Sequence, residues 1–385
     1  MLSIYLTMSE RGSFRGKFPV RGDRTSIQSS TIVAGAPLLA LTMPISSNSR
    51  ISSVFADFAS KRRPLLKAPN LRDVIDAGRR IDPYMHRTPL RQYPALGRLI
   101  GPGTELWVKH ENHQVLGSFK PRGGINLVSQ LRPDELARGL MAASTGNHGQ
   151  SVAFAGKTFG AAVTIVVPNV ANPGKLQSMK DLGATVIQYG DLFDESHDYS
   201  MQLASEQGMR HVHSANEPDL IAGVGTYSLE IYEDLSDIDV LIVPVGAGSG
   251  ASGAAIVTAA VSPLTEVIAV QAEAAPSALR SWESDTLIEA PMATAAEGLA
   301  TAHSYELPMG ILREHVKTFA LVSEEEIRTA IVHYLEHARS LVEGAGVVSL
   351  AAAIKLKDRL AGKRVVVVAS GGNLSMAHLR EALEG

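Results

Sequence analysis

The sequence predicts an α/β fold of open, mostly parallel sheets flanked by helices. Two observations carry this reading. Val163 to Val167 (VTIVV), Val240 to Val245 (VLIVPV) and Val365 to Ala369 (VVVVA) are continuous apolar runs without polar alternation. Such strands are buried on both faces, as in parallel sheets. Segments of helical periodicity lie between the runs, which gives β–α alternation.

In chain order, Leu71 to Ile81 reads as an amphipathic helix and Glu105 to Lys109 as a short strand. A helix follows Lys120. Gly139 to Ala143 reads as a strand, Gly149 to Phe159 as a helix, Lys175 to Leu182 as a helix and Thr185 to Tyr189 as a strand. No fixed-period repeat runs through the chain.

With 385 residues, the chain is long enough for two domains and a sizeable core. Hydrophobic residues make up 45% and charged residues 19%, the balance of a globular protein. The net charge of −3 supplies no basic field for nucleic acid. There is no cysteine, which excludes a disulfide scaffold, a cysteine zinc site, an iron–sulfur cluster and a thiol nucleophile. Such a chain suits a reducing, cytoplasmic setting. No apolar run is long enough to predict a membrane span.

Residues 1–67 differ from the rest. They hold ten Lys or Arg residues against Glu10, Asp23 and Asp57, and they are rich in serine. This stretch is expected to be a disordered extension outside the fold. An acid-poor leader of this kind also matches an organelle transit peptide.

Ligands bind at the carboxyl ends of strands in open α/β sheets. Four loops stand at such places: Gly117 to Gly124, Ser144 to Gln150, Gly246 to Gly253 and Ser370 to Asn373. Gly246 to Gly253 (GAGSGASG) follows a buried strand and opens an alanine-rich helix. Its backbone amides and the helix N-terminus make a phosphate cradle. The spacing Gly248-x-Gly250-x-x-Gly253, with Glu273 further on, also fits a dinucleotide fingerprint, so an NAD-binding oxidoreductase stays open here. Lys120 sits beside Phe119 and ahead of Pro121, Arg122 and two glycines. A lysine that forms an imine must lose its proton through burial or a neighbouring cation, and Arg122 is the nearest cation in sequence.

Together the four loops resemble those of fold-type II pyridoxal-phosphate (PLP) enzymes, in the serine/threonine dehydratase and serine racemase branch. Glu111-x-x-Gln114-x-x-Gly117-Ser118-Phe119-Lys120-x-Arg122-Gly123 is similar to the lysine motif. Ser144-Thr145-Gly146-Asn147-His148-Gly149-Gln150 is similar to the substrate loop, Gly246 to Gly250 to the phosphate loop, and Ser370-Gly371-Gly372-Asn373 to the cofactor-ring segment. The resemblance runs from about Leu71 to the C-terminus.

It implies a tryptophan-synthase-β-like pair of domains with the cofactor between them. Residues 68–138 and 217–385 would form the larger domain and 139–216 the smaller, in a homodimer. Lys120 would be the Schiff-base lysine and the Cα base. Phe119 would pack on the ring, Asn147 would donate to its 3′-oxygen, and Ser370 would face the pyridine nitrogen. Gly246, Ala247, Gly248, Ser249 and Gly250 would hold the phosphate. Ser144, Thr145, Asn147 and His148 would surround the substrate carboxylate with donors. The implied activity is an ammonia-lyase turning a small β-hydroxy amino acid, such as L-threonine or L-serine, into a 2-keto acid and ammonia.

Several departures narrow this. Thr145 stands where serine racemases place a serine base, which disfavours racemisation. Pro121 stands where β-replacing relatives carry aspartate. The positions near Gln271 and Ser277 are neutral where metal-dependent members have acids, so no metal is expected. A rival pattern, His333-Tyr334-Leu335-Glu336-His337, matches the H-x-x-E-H of some metallopeptidases. It falls on a helix capped by Ser323 and Glu326, whose apolar face reads Ile327, Ala330, Ile331, Tyr334 and Leu341. The histidines lie roughly opposite, which predicts a solvated face.

Overall fold

The computed structural model describes residues 66–171 and 173–384. The expectation for residues 1–67 therefore lies outside the described residues, apart from Leu66 and Lys67. The strands are β1 Leu90–Gln92, β2 Glu105–Lys109, β3 Leu140–Ala143, β4 Val163–Val167, β5 Thr185–Gln188, β6 Arg210–His211, β7 Val240–Pro244, β8 Glu266–Ala272, β9 Thr318–Val322 and β10 Arg364–Val368. They form a six-stranded sheet in the order β1-β2-β10-β7-β8-β9 and a four-stranded sheet in the order β5-β4-β3-β6. Only β1 runs antiparallel, pairing Leu90 with Lys109; all other neighbours are parallel.

The apolar runs explain the central strands. Val240, Ile242, Val365 and Val367 pack into one core with Val347 and Leu350 of the Gly344–Lys355 helix. Their neighbours Leu241, Val243, Val366 and Val368 pack into another, with Ala251 and Ala254 of the Ser249–Val261 helix. Successive strand residues point to opposite faces, so a strand covered by helices on both sides must be apolar throughout. The smaller sheet repeats the logic. Leu140, Ala142 and Ile165 meet Val152 and Ala155 of the Asn147–Phe159 helix, and Met141 and Val166 meet Ala204 behind.

The Leu71–Ile81 helix forms where expected. Asn70 caps it, accepting from the Arg72 amide at 2.8 Å, while Asp73 accepts from the Asn70 amide at 2.8 Å. One element differs from expectation. The Glu324–His333 helix passes into a wider π-type turn, Tyr334–Ala338, and stops because Arg339 takes the left-handed conformation at φ 50°. Leu341 is therefore 44% exposed and belongs to no apolar helix face. Strand β6 is only two residues long. His213 leaves it, its Nδ1 accepting from the Ala215 and Asn216 amides at 2.9 and 3.0 Å.

Three of the loops singled out above leave the carboxyl ends of β3, β7 and β10. The Lys120 segment is tied to the last of them: the Phe119 amide donates to the Ser370 carbonyl at 3.2 Å, and Ser118 bridges to Gly371.

Candidate active site

A cavity of about 570 Å³ opens where these loops meet. Phe119, Lys120, Ser144, Thr145, Asn147, His148, Gly246, Ala247, Gly248, Ser249, Gly250 and Ser370 all line it. Residues up to 250 positions apart in the chain are thus brought to one place, Lys120 and Ser370 among them.

Lys120 opens the Lys120–Val128 helix, with Pro121 in the first turn, where its missing N–H goes unneeded. Its Nζ donates to Ser249 Oγ at 3.0 Å and lies 5.0 Å from the centre of the Phe119 ring. Burial pushes the ammonium pKa down to about 8. Arg122 plays no part in that shift. Its guanidinium is 1% exposed and faces the other way, donating to Glu111 at 2.8 and 2.9 Å and to Glu230 at 2.7 and 3.0 Å. The arginine of the lysine motif therefore anchors the scaffold behind Lys120.

The glycine loop fits a phosphate closely. Gly248 has φ 98°, a left-handed conformation that glycine adopts without strain, and it caps the Ser249–Val261 helix. A Cβ at Gly246 would lie 2.2 Å from the Gly298 carbonyl oxygen. This bare turn ends on a 13-residue helix whose first N–H groups favour an anion. Beside it, Phe119 is gripped by two apolar cores. It also meets the edge of Tyr227, ring centres 6.1 Å apart, and the Tyr227 hydroxyl donates to the Gly250 carbonyl at 2.9 Å. A buried lysine, a flat apolar wall and an amide cradle around one cavity are the donor set that PLP requires.

Asn147 sits in a chain of polar contacts. Its Nδ2 donates to Glu343 Oε1 at 2.7 Å, and its Oδ1 accepts from Asn373 Nδ2 at 2.7 Å. Asn373 also donates to the Leu116 carbonyl at 2.8 Å, holding together loops more than two hundred residues apart. Glu343 is buried, and that burial raises its carboxyl pKa. The sequence reading missed it; a single acid inside the apolar stretch Val342 to Ala353 was the available signal. Ser370 is 7% exposed and lies 3.4 Å from the Ala345 carbonyl.

His148 departs from expectation. Its Nε2 lies 3.1 Å from the Val212 carbonyl, so that nitrogen carries the proton, and burial lowers the imidazole pKa to about 3. The remaining nitrogen, Nδ1, is an acceptor, so the His148 side chain offers no donor to a substrate carboxylate and only its backbone amide can. Ser144 Oγ accepts from the Gly146 amide at 3.2 Å and shapes the turn.

The acid of the dinucleotide spacing and the histidine pattern fall outside the cavity. Glu273 of the dinucleotide spacing is 48% exposed and pairs with Lys355 at 2.9 Å. Gln271 Oε1 instead accepts from the Ala278 and Leu279 amides at 3.0 and 3.1 Å. His333, Glu336 and His337 place their ligand atoms within 4.8 Å of one another. They stand on a partly exposed face, the Glu336 side chain 62% and the His337 side chain 30% exposed, at the spacing that makes helical neighbours.

The sequence profile of the pyridoxal-phosphate-dependent enzyme family matches residues 81–371. The chain is 39% identical over 309 residues to the L-threonine ammonia-lyase of Thermotoga maritima, covering 80% of this chain and 76% of that protein. It is 33% identical to the L-threo-3-hydroxyaspartate ammonia-lyase of Saccharomyces cerevisiae, covering 82% of this chain and 97% of that one. Among solved structures, the processed threonine deaminase isoform 2 of Solanum lycopersicum superposes with a TM-score of 0.76 at 28% identity, covering 84% of this chain and 95% of that one. The fold and the cofactor implied by the four loops agree with these relatives, and pyridoxal 5′-phosphate is the cofactor. The chain belongs to the pyridoxal-phosphate-dependent enzymes of fold type II, as a lyase of the serine/threonine dehydratase family.

Proposed function

We propose that this ammonia-lyase acts on small β-hydroxy amino acids, with L-threonine and L-serine as the first candidates, and releases a 2-keto acid and ammonia. The contact between Lys120 Nζ and Ser249 Oγ, 3.0 Å at the mouth of the glycine loop, carries this reading. It places a readily deprotonated amine beside a phosphate cradle.

When bound, PLP supplies a carbonyl carbon for an amine and an electron-withdrawing ring that acidifies the substrate Cα. Lys120 would hold the cofactor, and its amine would serve as the base for the Cα proton. The amides of Gly246, Ala247, Gly248 and Ser249, with Gly250 behind them, hold the phosphate. Phe119 flanks the ring, and Asn147, fixed by Glu343 and Asn373, orients its oxygen side. Ser370 would offer the ring nitrogen a hydroxyl in place of a carboxylate, which would leave that nitrogen mostly neutral and favour loss of a β-leaving group. Ser144, Thr145 and the first amides of the Asn147–Phe159 helix receive the substrate carboxylate. His148 lines the same site as an acceptor.

Residues 139–216 are assigned as the smaller domain, with 68–138 and 217–385 as the larger; the four-stranded sheet draws its strands from residues 140–211. No helix among the described residues is long and apolar enough to cross a membrane. A cytoplasmic homodimer is the assembly this family resemblance and the cysteine-free chain favour. The test is release of 2-keto acid and ammonia from L-threonine and L-serine by the PLP-loaded protein. Racemisation without keto acid, or no turnover, overturns the reading.

A further inference from the structure

Lys175 and Glu297 form an ion pair on the cavity wall. Lys175 belongs to the Pro173–Asp181 helix and Glu297 to the short helical turn Glu297–Leu299, so the pair joins two elements through residues 122 positions apart. The Lys175 ammonium is 14% exposed and lies 3.9 Å from where a Cβ on Gly146 would stand, beside the loop proposed to receive the substrate carboxylate. Glu297 is next to Gly298, whose carbonyl packs on Gly246 of the phosphate loop.

The other charged groups on the wall are Lys120, which the cofactor engages, and Glu343, which is held by Asn147. No arginine lines the cavity among the described residues. The remaining wall mixes polar groups, such as Ser214 and Thr301, with apolar and aromatic ones, such as Val170, Phe193, Met292 and Tyr305, and carries no further charge. A carboxylate brought here on a substrate side chain finds its one cation already paired and two acids nearby. A desolvated, unpaired carboxylate is strongly disfavoured, and like charges repel it further. A methyl or a hydrogen in the same place meets no such penalty.

We propose that Glu297 is a specificity-determining residue that neutralises Lys175 and turns the cavity against β-hydroxy amino acids carrying a second carboxylate. The inference rests on the ammonia-lyase reading above and names the substrate class within it. The yeast relative is named for L-threo-3-hydroxyaspartate; the charge pattern of this cavity favours neutral side chains instead.

The experiment compares kcat/KM for L-threonine, L-serine and L-threo-3-hydroxyaspartate in the PLP-loaded wild type, Glu297→Gln and Lys175→Met proteins. The wild type is expected to favour threonine or serine over hydroxyaspartate by at least about tenfold. Glu297→Gln frees the ammonium and should raise the hydroxyaspartate-to-threonine ratio by about tenfold or more. Lys175→Met leaves the acid alone and should lower that ratio. If Glu297→Gln does not fold with its cofactor, the Lys175→Met ratio decides, a fall supporting the proposal and no change or a rise overturning it. A wild type that prefers hydroxyaspartate, or ratios unmoved in both variants, overturns the proposal while the ammonia-lyase reading stands. Absence of keto acid from all three substrates overturns that reading itself, and the proposal with it.

Discussion

Lys120 Nζ donates to Ser249 Oγ at 3.0 Å, joining the first residue of one helix to the first residue of another. The contact sets the reactive amine against the anion-binding end of the Ser249–Val261 helix. Replacement of Lys120 by Ala removes the cofactor's anchor and the Cα base together. Turnover should fall by at least about a hundredfold, the usual worth of a positioned proton acceptor. Keto-acid release from L-threonine measures it.

Burial lowers the Lys120 pKa to about 8 in the cofactor-free protein. The neutral amine is the form that attacks PLP, and its share grows as pH rises. Uptake of PLP by the cofactor-free enzyme should therefore accelerate about tenfold per pH unit below this value and level off above it. Stability linkage runs the same way. The unfolded chain binds more protons than the folded one between about 8 and the ordinary lysine pKa, so this group adds stability as pH climbs through that window. Stopped-flow absorbance against pH follows the uptake.

Arg122 stands between Glu111 and Glu230 behind the site, and Lys109 also donates to Glu230. Arg122→Met leaves buried carboxylates short of their partner and should cost about 3–5 kcal/mol of stability, read from urea unfolding. Acid should weaken the same network. Burial works against the Glu230 carboxylate, yet Arg122 and Lys109 hold its pKa below the ordinary value. The stability it contributes is present above that ordinary value and is lost as pH falls through the lowered one.

Gly246→Ala places a methyl 2.2 Å from the Gly298 carbonyl oxygen. Either the turn or the Gly298 strand of chain must move, and the amide cradle moves with it. PLP affinity should drop by about tenfold or more, the scale of a 1.4 kcal/mol loss. Fluorescence titration of the cofactor-free variant with PLP gives the number.

The central strands were legible because parallel strands covered on both faces must be apolar throughout, as Val240–Pro244 and Arg364–Val368 are beyond their edges. The cavity was legible through its loops, since each needs a particular backbone or side chain next to the cofactor. Contacts made across the fold left no local trace. Arg122 is read as a neighbour of Lys120 until Glu230, 108 residues away, claims it. Glu343 and Glu297 act through Asn147 and Lys175, partners that no spacing announces. The stop at Arg339 is likewise invisible to periodicity, because it depends on one residue adopting φ 50°. The orientation of the His148 side chain was hidden for the same reason: the Val212 carbonyl that accepts its hydrogen bond lies 64 residues on.

Lys120 is the amine proposed to carry PLP. Borohydride reduction of the PLP-loaded enzyme, followed by peptide mass spectrometry, tests it most directly. One reduced pyridoxyl adduct is expected, on the peptide containing Lys120. An adduct on another lysine, or none in a protein that deaminates L-threonine, would contradict it.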